Sequence, residues 1–381
     1  MASGHRLLIR SHWSLHNQPT GGADLLMHNI ATALTNSGWD VDILCPQPND
    51  SEIRNNMGQS DINYHNFKYS EPQSPVRKMV NSVRGWKTYR NVVYNNNYDI
   101  ILDDISHIPF YPLHFDHPGT AVDATFMHTA FFDSAWEFDT KIGGTVINLI
   151  DRSLSYLDSH IICAGPSTAN RMEEIGDCTN TYVLRPCIDL EKFEYEFDPD
   201  SKNILFLGRL TQRKNAGCLL RAWKHIEDTY DEYTLTIAGT GNRDRQLKQL
   251  ADNLGLKNVT FTGFVTEERK LELFRNAFVF VLPSLIEGYV TTGIEALASG
   301  TPVVGSDTHG INDYIIDGKN GLLFETNKPM QLAGTLRYAI ENRGELQSMA
   351  RTGRRLAESH SFDSFQSQSD LLFSSITNER T

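Results

Sequence analysis

Two glutamates, Glu287 and Glu295, stand eight positions apart in the run LPSLIEGYVTTGIEALASGTPVVG from Leu282 to Gly305. An apolar strand, Phe278 to Leu282, ends at Pro283 and Ser284. A helix is expected from about Val290 to Ser299, and a second buried strand follows at Pro302 to Gly305. Glu287 then falls in the loop at the carboxyl end of a parallel strand, where open α/β sheets take their ligands. Glu295 lies along the same helix and can face the same crevice. Ionised carboxylates only accept hydrogen bonds, so the pair suits a ligand rich in hydroxyls, while free N–H groups at the helix start suit a phosphate. The chemistry indicated is a sugar joined to a nucleoside diphosphate. The plain alternative, two carboxylates on a solvated face, is disfavoured by the buried strands on either side.

Upstream, Arg209 and Lys214 follow the strand Asn203 to Leu207 and flank a loop leading into a helix near Asn215. Positive charge is disfavoured at a helix start, and an anion held between the two cations would resolve the conflict. Gly239 and Gly241 make a G-x-G turn after another strand, a weak dinucleotide signal that fits a loop near a nucleotide. At the amino terminus, Gly21 and Gly22 precede an amphipathic helix, so the backbone there can approach an anion closely or simply turn. His12 and His16 have the i, i+4 spacing of a metal pair. Trp13, Pro19 and the glycines around them indicate a loop, which turns the reading from zinc to contact with an acceptor. Asp103 and Asp104 close a strand and either bind acceptor hydroxyls or cap their own loop.

The glutamate-x7-glutamate pattern resembles that of family 4 retaining glycosyltransferases with the GT-B fold. FLGRLTQRKN (Phe206 to Asn215), IAGTGNRDRQL (Ile237 to Leu247), VTFTGFV (Val259 to Val265) and LRPCIDLEKF (Leu184 to Phe193) follow in that family's order. The resemblance implies that Arg209 and Lys214 stabilise a departing diphosphate, that Glu295 holds ribose hydroxyls and that Glu287 holds hydroxyls of the donor sugar. It places Gly208, Gly239, Gly241, Phe264, Val265, Gly288, Tyr289, Val290 and Thr291 along the donor, with Gly21 and Gly22 touching its pyrophosphate. His128, followed by Thr129 after the strand Thr120 to Met127, matches the family histidine that contacts the donor sugar or its phosphate. The implied reaction retains anomeric configuration with no cofactor and no metal; the nucleotide sugar is a co-substrate, UDP preferred to GDP. Here Val290 replaces the usual glycine and Tyr289 the common phenylalanine, which is expected to narrow the room for the sugar.

The chain has 381 residues, 40% hydrophobic and 22% charged, enough for two domains that each bury a core. A formal net charge of −12 disfavours a general nucleic-acid binder. Five scattered cysteines without C-x-x-C spacing argue against a disulfide framework and a zinc ribbon. No stretch has the length of a membrane span or a signal-peptide core, so a cytoplasmic protein is expected. Between Pro72 and Tyr98 no acid occurs, while Arg77, Lys78, Arg84, Lys87 and Arg90 alternate with apolar residues at helical spacing. That segment, residues 77–93, either lies on an anionic membrane at its inner face or packs its apolar stripe on the first domain.

Strands alternate with helices twice over, the pattern of two Rossmann-like doubly wound parallel sheets. The irregular, polar stretch Arg185 to Lys202 marks the junction. The expected division is 1–190 for an acceptor-side domain and 191–360 for a nucleotide-sugar domain. By resemblance to GT-B proteins, the two face a cleft and a last helix within 361–381 returns to the first. Other classes remain: a sugar-nucleotide epimerase of the same fold, a catalytically silent sugar-nucleotide binding module, and a surface-binding scaffold, which would leave the paired glutamates unexplained.

Overall fold

The computed structural model describes residues 4–11, 22–46, 62–68, 75–105, 119–137, 141–156 and 159–378. The chain forms two compact units, one of residues 1–133, 145–187 and 362–381, the other of residues 134–144 and 188–361.

In the first unit, β1 (Arg6–Arg10), β2 (Asp40–Pro46), β3 (Ile62–Phe67), β4 (Ile100–Ile105), β5 (Val122–Met127), β6 (His160–Cys163) and β7 (Thr181–Val183) form one sheet. Every pairing is parallel, in the order β3-β2-β1-β4-β5-β6-β7. The helices α1 (Gly22–Asn36), α2 (Pro75–Asn95), α3 (Lys141–Ser153) and α4 (Pro166–Glu174) connect them. Central strands such as Leu7–Leu8–Ile9 are wholly buried, as a sheet covered on both faces requires. The edge strand β3 is absent from the expectations above, and its composition explains why. INYHNF has only its two ends buried, so it offers neither an apolar run nor clean alternation. Polar contacts hold it instead: Asn63 Nδ2 donates to Asp42 Oδ1 at 3.1 Å, and His65 Nε2 lies 3.0 Å from Asp42 Oδ2.

The second unit repeats the plan with β8 (Asn203–Leu207), α5 (Ala216–Trp223), β9 (Thr234–Ala238), α6 (Asp244–Leu254), β10 (Val259–Gly263), α7 (Glu267–Arg275) and β11 (Val279–Leu282). Next come α8 (Thr291–Ala298), β12 (Val303–Asp307), β13 (Gly321–Glu325), α9 (Pro329–Glu341) and α10 (Arg343–Glu358). This parallel sheet runs β10-β9-β8-β11-β12-β13. One face packs Trp223, Leu219, Ile237 and Phe278; the other packs Phe274, Phe280, Ile294 and Leu297. In both sheets the strand order reverses at the middle, between β1 and β4 and between β8 and β11. Diverging loops at such a reversal leave a crevice at the carboxyl ends of those strands.

The final helix, α11 (Phe362–Asn378), belongs to the first unit, where it packs on α1. Trp39, 3% exposed, anchors it: its indole N–H donates to Asp370 Oδ1 at 2.9 Å, and its ring meets Phe373 edge-on at 6.2 Å. Among the described residues no helix is long and apolar enough to cross a membrane.

Candidate functional site

Glu287 stands in the loop leaving β11, at the reversal point of the second sheet, and its side chain is 5% exposed. Two cations from the loop after β8 meet it. Lys214 Nζ lies 2.7 Å from Oε1, and Arg213 pairs with Oε2 while also donating to the Ile286 carbonyl at 3.1 Å. Burial alone would raise the Glu287 pKa, but Arg213 and then Lys214 more than offset it and hold the carboxyl down at about 2. Burial also pushes the Lys214 pKa below its ordinary value, with Arg213 and Arg209 adding to the effect and Glu287 opposing it. Arg213 is missing from the residues expected above. One basic residue among three in the run RLTQRK carries no periodic signal that would single it out.

The loop itself is fixed by backbone bonds. Leu285 N donates to Arg213 O at 2.8 Å, Glu287 N to His309 O at 3.1 Å, and Thr308 Oγ1 to Leu285 O at 2.8 Å. Gly310, with φ +78°, lies against the Glu287–Gly288 backbone so closely that a Cβ would sit 2.6 Å from the Glu287 carbonyl carbon. Arg209, by contrast, is exposed and has no ion pair among the described residues.

Val290 is the N-cap of α8, and no side chain caps that first turn. Its own side chain is 4% exposed and packs in the core with Ile294, Ile311 and Tyr314. The β-branched group is thus buried in the core beneath the loop. Tyr314 reinforces this by donating its hydroxyl to Val290 O at 3.2 Å. Tyr289 uses the hydroxyl that phenylalanine would lack, placing it 2.6 Å from Nε2 of the buried His360. Thr291 begins the helix beyond.

Glu295, one turn further along α8, is 12% exposed, with Oε1 3.0 Å from Lys270 Nζ. Its Oε2 is shielded from solvent and has no hydrogen-bond donor among the described residues. Burial raises the Glu295 pKa, Lys270 opposes that, and Glu267 adds to the rise.

The expected glycines have a packing reason. Gly239, with φ +127°, and Gly241 lie where a Cβ would strike the carbonyl oxygens of Gly208 and Leu210. The two loops lock together through Gly208 N to Ala238 O at 3.0 Å and Leu210 N to Thr240 O at 2.8 Å. Phe264, just past β10, is 80% exposed, and Val265 packs on the core.

The first unit holds its own polar group at the β1/β4 reversal. Asp104, 1% exposed, accepts from Ser11 Oγ at 3.0 Å and lies 2.7 Å from His128 Nε2. A carboxylate on Nε2 orients the ring and leaves Nδ1 as the nitrogen available to a ligand. Asp103 is different. It is 2% exposed inside β4 and ion-paired with Arg10, whose guanidinium lies 4.4 Å from the Tyr89 ring centroid. Its carboxylate is engaged by Arg10 inside the sheet. Gly22 starts α1, while His12, His16 and Gly21 lie outside the described residues.

The turn after His128 has a clamp that sequence spacing does not announce. Asp151 Oδ2 accepts from both Phe131 N and Phe132 N at 2.8 Å, and Arg171 donates to Ala130 O at 2.9 Å and Phe131 O at 2.7 Å. Together they hold Phe132 at φ 44°, a left-handed conformation that is rare for a bulky residue. Burial pushes the Asp151 pKa up to about 6 against those two backbone donors and Arg171.

Two family models match the chain: "Glycosyltransferase Family 4" over residues 20–192 and "Glycosyl transferases group 1" over residues 188–356. An uncharacterized glycosyltransferase of Methanocaldococcus jannaschii is 37% identical over 135 residues, which is 35% of this chain and 34% of that protein. The chain thus matches about a third of that relative's length. Sucrose-phosphate synthase from Thermosynechococcus elongatus superposes with a TM-score of 0.83 at 17% identity, covering 98% of this chain and 100% of that one. The Anabaena protein HepE, solved with UDP and glucose, gives a TM-score of 0.74 at 17% identity over 97% and 100% of the two chains. These structural likenesses establish the architecture, the two family models between them span residues 20–356 and take in every strand of the two sheets except β1, and the chain belongs to the family 4 glycosyltransferases with the GT-B fold.

Proposed function

We propose that this glycosyltransferase takes its sugar from a nucleoside diphosphate, UDP in preference to GDP, and passes it with retention of configuration to a hydroxyl of a glycan, a lipid-linked saccharide or a small molecule. The observation that carries the reading is the cluster at the β8/β11 reversal. Lys214 and Arg213 converge on Glu287, Arg209 stands exposed on the same loop, and α8 begins without a side-chain cap. As the bond between sugar C1 and phosphate oxygen breaks, the departing diphosphate gathers negative charge. Fixed cations and free helix amides stabilise that state more than the ground state. In this reading Arg209 and Lys214 act on the leaving group. Glu287 keeps a lone pair on each oxygen for sugar hydroxyls, and Glu295 takes the ribose. The acceptor oxygen bonds to C1 on the face the leaving group departs from, and its proton passes to the departing phosphate oxygen. The scheme asks for neither a protein nucleophile nor a metal. His128, oriented by Asp104, is assigned to the donor sugar or its phosphate. HepE, solved with UDP and glucose, supports the choice of donor class. On α2, Lys87 and Arg90 are exposed and suit the headgroups of an anionic membrane at its inner face.

Thermal stabilisation by UDP, GDP, ADP and their sugar conjugates tests the donor site, with Lys214→Ala as the control. A shift of several degrees with one nucleotide, lost in the variant, is expected. No shift with any nucleotide would reduce the chain to a silent member of its fold. Proton NMR of the product then reads the anomer: inversion would sink the proposed chemistry, and epimerised donor without any acceptor would mark an epimerase.

A further inference from the structure

Lys270 lies on α7 and matches no part of the donor motifs, yet its side chain is only 13% exposed and its ammonium meets two carboxylates. Glu295 Oε1 is 3.0 Å away and Glu267 Oε2 is 2.9 Å away. The acids differ sharply in setting, since Glu267 is 70% exposed and Glu295 only 12%. Phe193 lies 5.9 Å beneath the ammonium, which further restricts its approach to water. An ammonium between a solvated and a buried acid matters mostly to the buried one, because the solvated acid is already hydrated.

Three charged residues on two elements reach Glu295. Lys270 and Glu267 come from α7, and Lys192 from the 3-10 turn Leu190–Lys192. Lys270 is the only one of them with a direct bond to the carboxylate. Its grip leaves Oε2, shielded and without a donor among the described residues, as the second acceptor of the same group. A buried carboxylate oxygen with no donor is costly, and two vicinal hydroxyls are the ligand chemistry that satisfies such an oxygen together with its neighbour.

We propose that Lys270 is the positioning residue for recognition of the donor's ribose: through its direct contact it fixes the Glu295 carboxylate so that the vicinal hydroxyls of a nucleoside diphosphate can donate to it. This rests on the donor site proposed above and adds to it the residue on which ribose selectivity depends. Burial raises the Glu295 pKa and Lys270 opposes that rise, so without the ammonium the carboxylate would take up its proton at higher pH than in wild type. A protonated carboxyl accepts poorly, and affinity would then fall as pH falls.

The test is calorimetric titration of UDP, GDP and their 2′,3′-dideoxy counterparts, from about pH 5.5 to 8.5, into wild type, Lys270→Met, Lys270→Arg and Glu295→Gln. The expected result is that Lys270→Met weakens the ribonucleotide about tenfold at neutral pH, the worth of a hydrogen bond to a charged group. The loss should grow toward acid pH, the dideoxy nucleotide should change less than about twofold, and Lys270→Arg should restore most of the affinity. Equal losses for ribo- and dideoxynucleotides would show Lys270 to be merely structural and overturn the proposal. Wild-type affinity and pH profile in Lys270→Met, with binding lost in Glu295→Gln, would overturn it while leaving the donor site intact. Wild type binding no nucleotide at all would remove the donor site and this inference together.

Discussion

Glu287 and Glu295 come from the same short segment and are both shielded from water, yet their surroundings drive them in opposite directions. Glu287 has two cations in direct contact and is held at about 2, while Glu295 has one in direct contact, Lys270, shared with Glu267, and is pushed up. The difference teaches that burial alone does not set the role of a carboxylate; the number of undivided counter-charges does. Glu287 is a permanent anion that organises the loop after β8. Glu295, in the role proposed for it, is an acceptor whose charge has to be maintained.

Removing Glu287 should therefore have the largest effect. Glu287→Gln leaves Lys214 and Arg213 crowded together with no counter-charge, and breaking one partner out of such a buried cluster costs about 3–5 kcal/mol. Because the cations then splay, turnover should fall by roughly a hundredfold or more, the scale of a lost transition-state contact. The measurement is chemical denaturation beside steady-state kinetics. A variant with wild-type stability and kcat would show that the cluster organises nothing.

The pair also predicts opposite pH dependences of stability. Glu287 has a depressed pKa, so its contribution is present above its unfolded value near 4.5 and is lost as pH falls toward about 2. The integrated size is on the order of 3 kcal/mol. Glu295 has a raised pKa, so the fold bears a cost above its unfolded value, and that cost is relieved as pH falls through the raised one. Glu287→Gln should flatten the acid limb of the stability curve, whereas Glu295→Gln should be neutral or stabilising near pH 7. The same slope change in both variants would collapse the distinction. In kinetics, Glu295→Gln should raise the donor KM about tenfold with kcat nearly unchanged.

This contrast marks how far the sequence could be read. Strand and helix periodicity located both parallel sheets and the loop-to-helix step carrying the two glutamates, because buried parallel strands are continuous apolar runs. β3 was invisible since polar bonds to Asp42 hold it in place. The partners that decide charge were invisible for another reason: Arg213 lies 74 residues from Glu287, Lys270 lies 25 from Glu295, and His360 lies 71 from Tyr289. No spacing rule reaches that far. The glycines were legible as G-x-G, though the close passage of one loop over another explains them without any ligand.

Asp151 extends the comparison to the first unit, where a buried carboxylate has backbone N–H donors and the nearby Arg171 but no direct ion pair among the described residues. Its pKa near 6 lies above the unfolded value, so the cost of ionising it appears as pH rises from about 4 through 6. Asparagine can still accept from Phe131 N and Phe132 N without a charge. Asp151→Asn should therefore leave thermal stability at pH 7.5 equal to or above wild type and flatten its dependence between about pH 4 and 6. A fall in Tm at pH 7.5 with the slope intact would mean that the ionised form is the one the turn needs.

The smallest effect belongs to the hydroxyl of Tyr289. It lies 2.6 Å from His360 Nε2, and the opposite nitrogen, Nδ1, lies 3.1 Å from the Leu356 carbonyl. A carbonyl can only accept, so Nδ1 carries the proton and Nε2 accepts from the phenol. Tyr289→Phe keeps the ring against Tyr314 but leaves Nε2 of a 5% exposed histidine without that donor. The expected cost is about 1 kcal/mol, with a drop in kcat of a few-fold as the backbone ahead of α8 loosens. Since that backbone lies between the two glutamates, its loosening should perturb Glu287 and Glu295 alike. Combining Tyr289→Phe with Glu295→Gln in a double-mutant cycle would read this directly. Coupling above about 0.5 kcal/mol would show that the hydroxyl acts through the donor loop, while simple additivity would confine it to packing around His360.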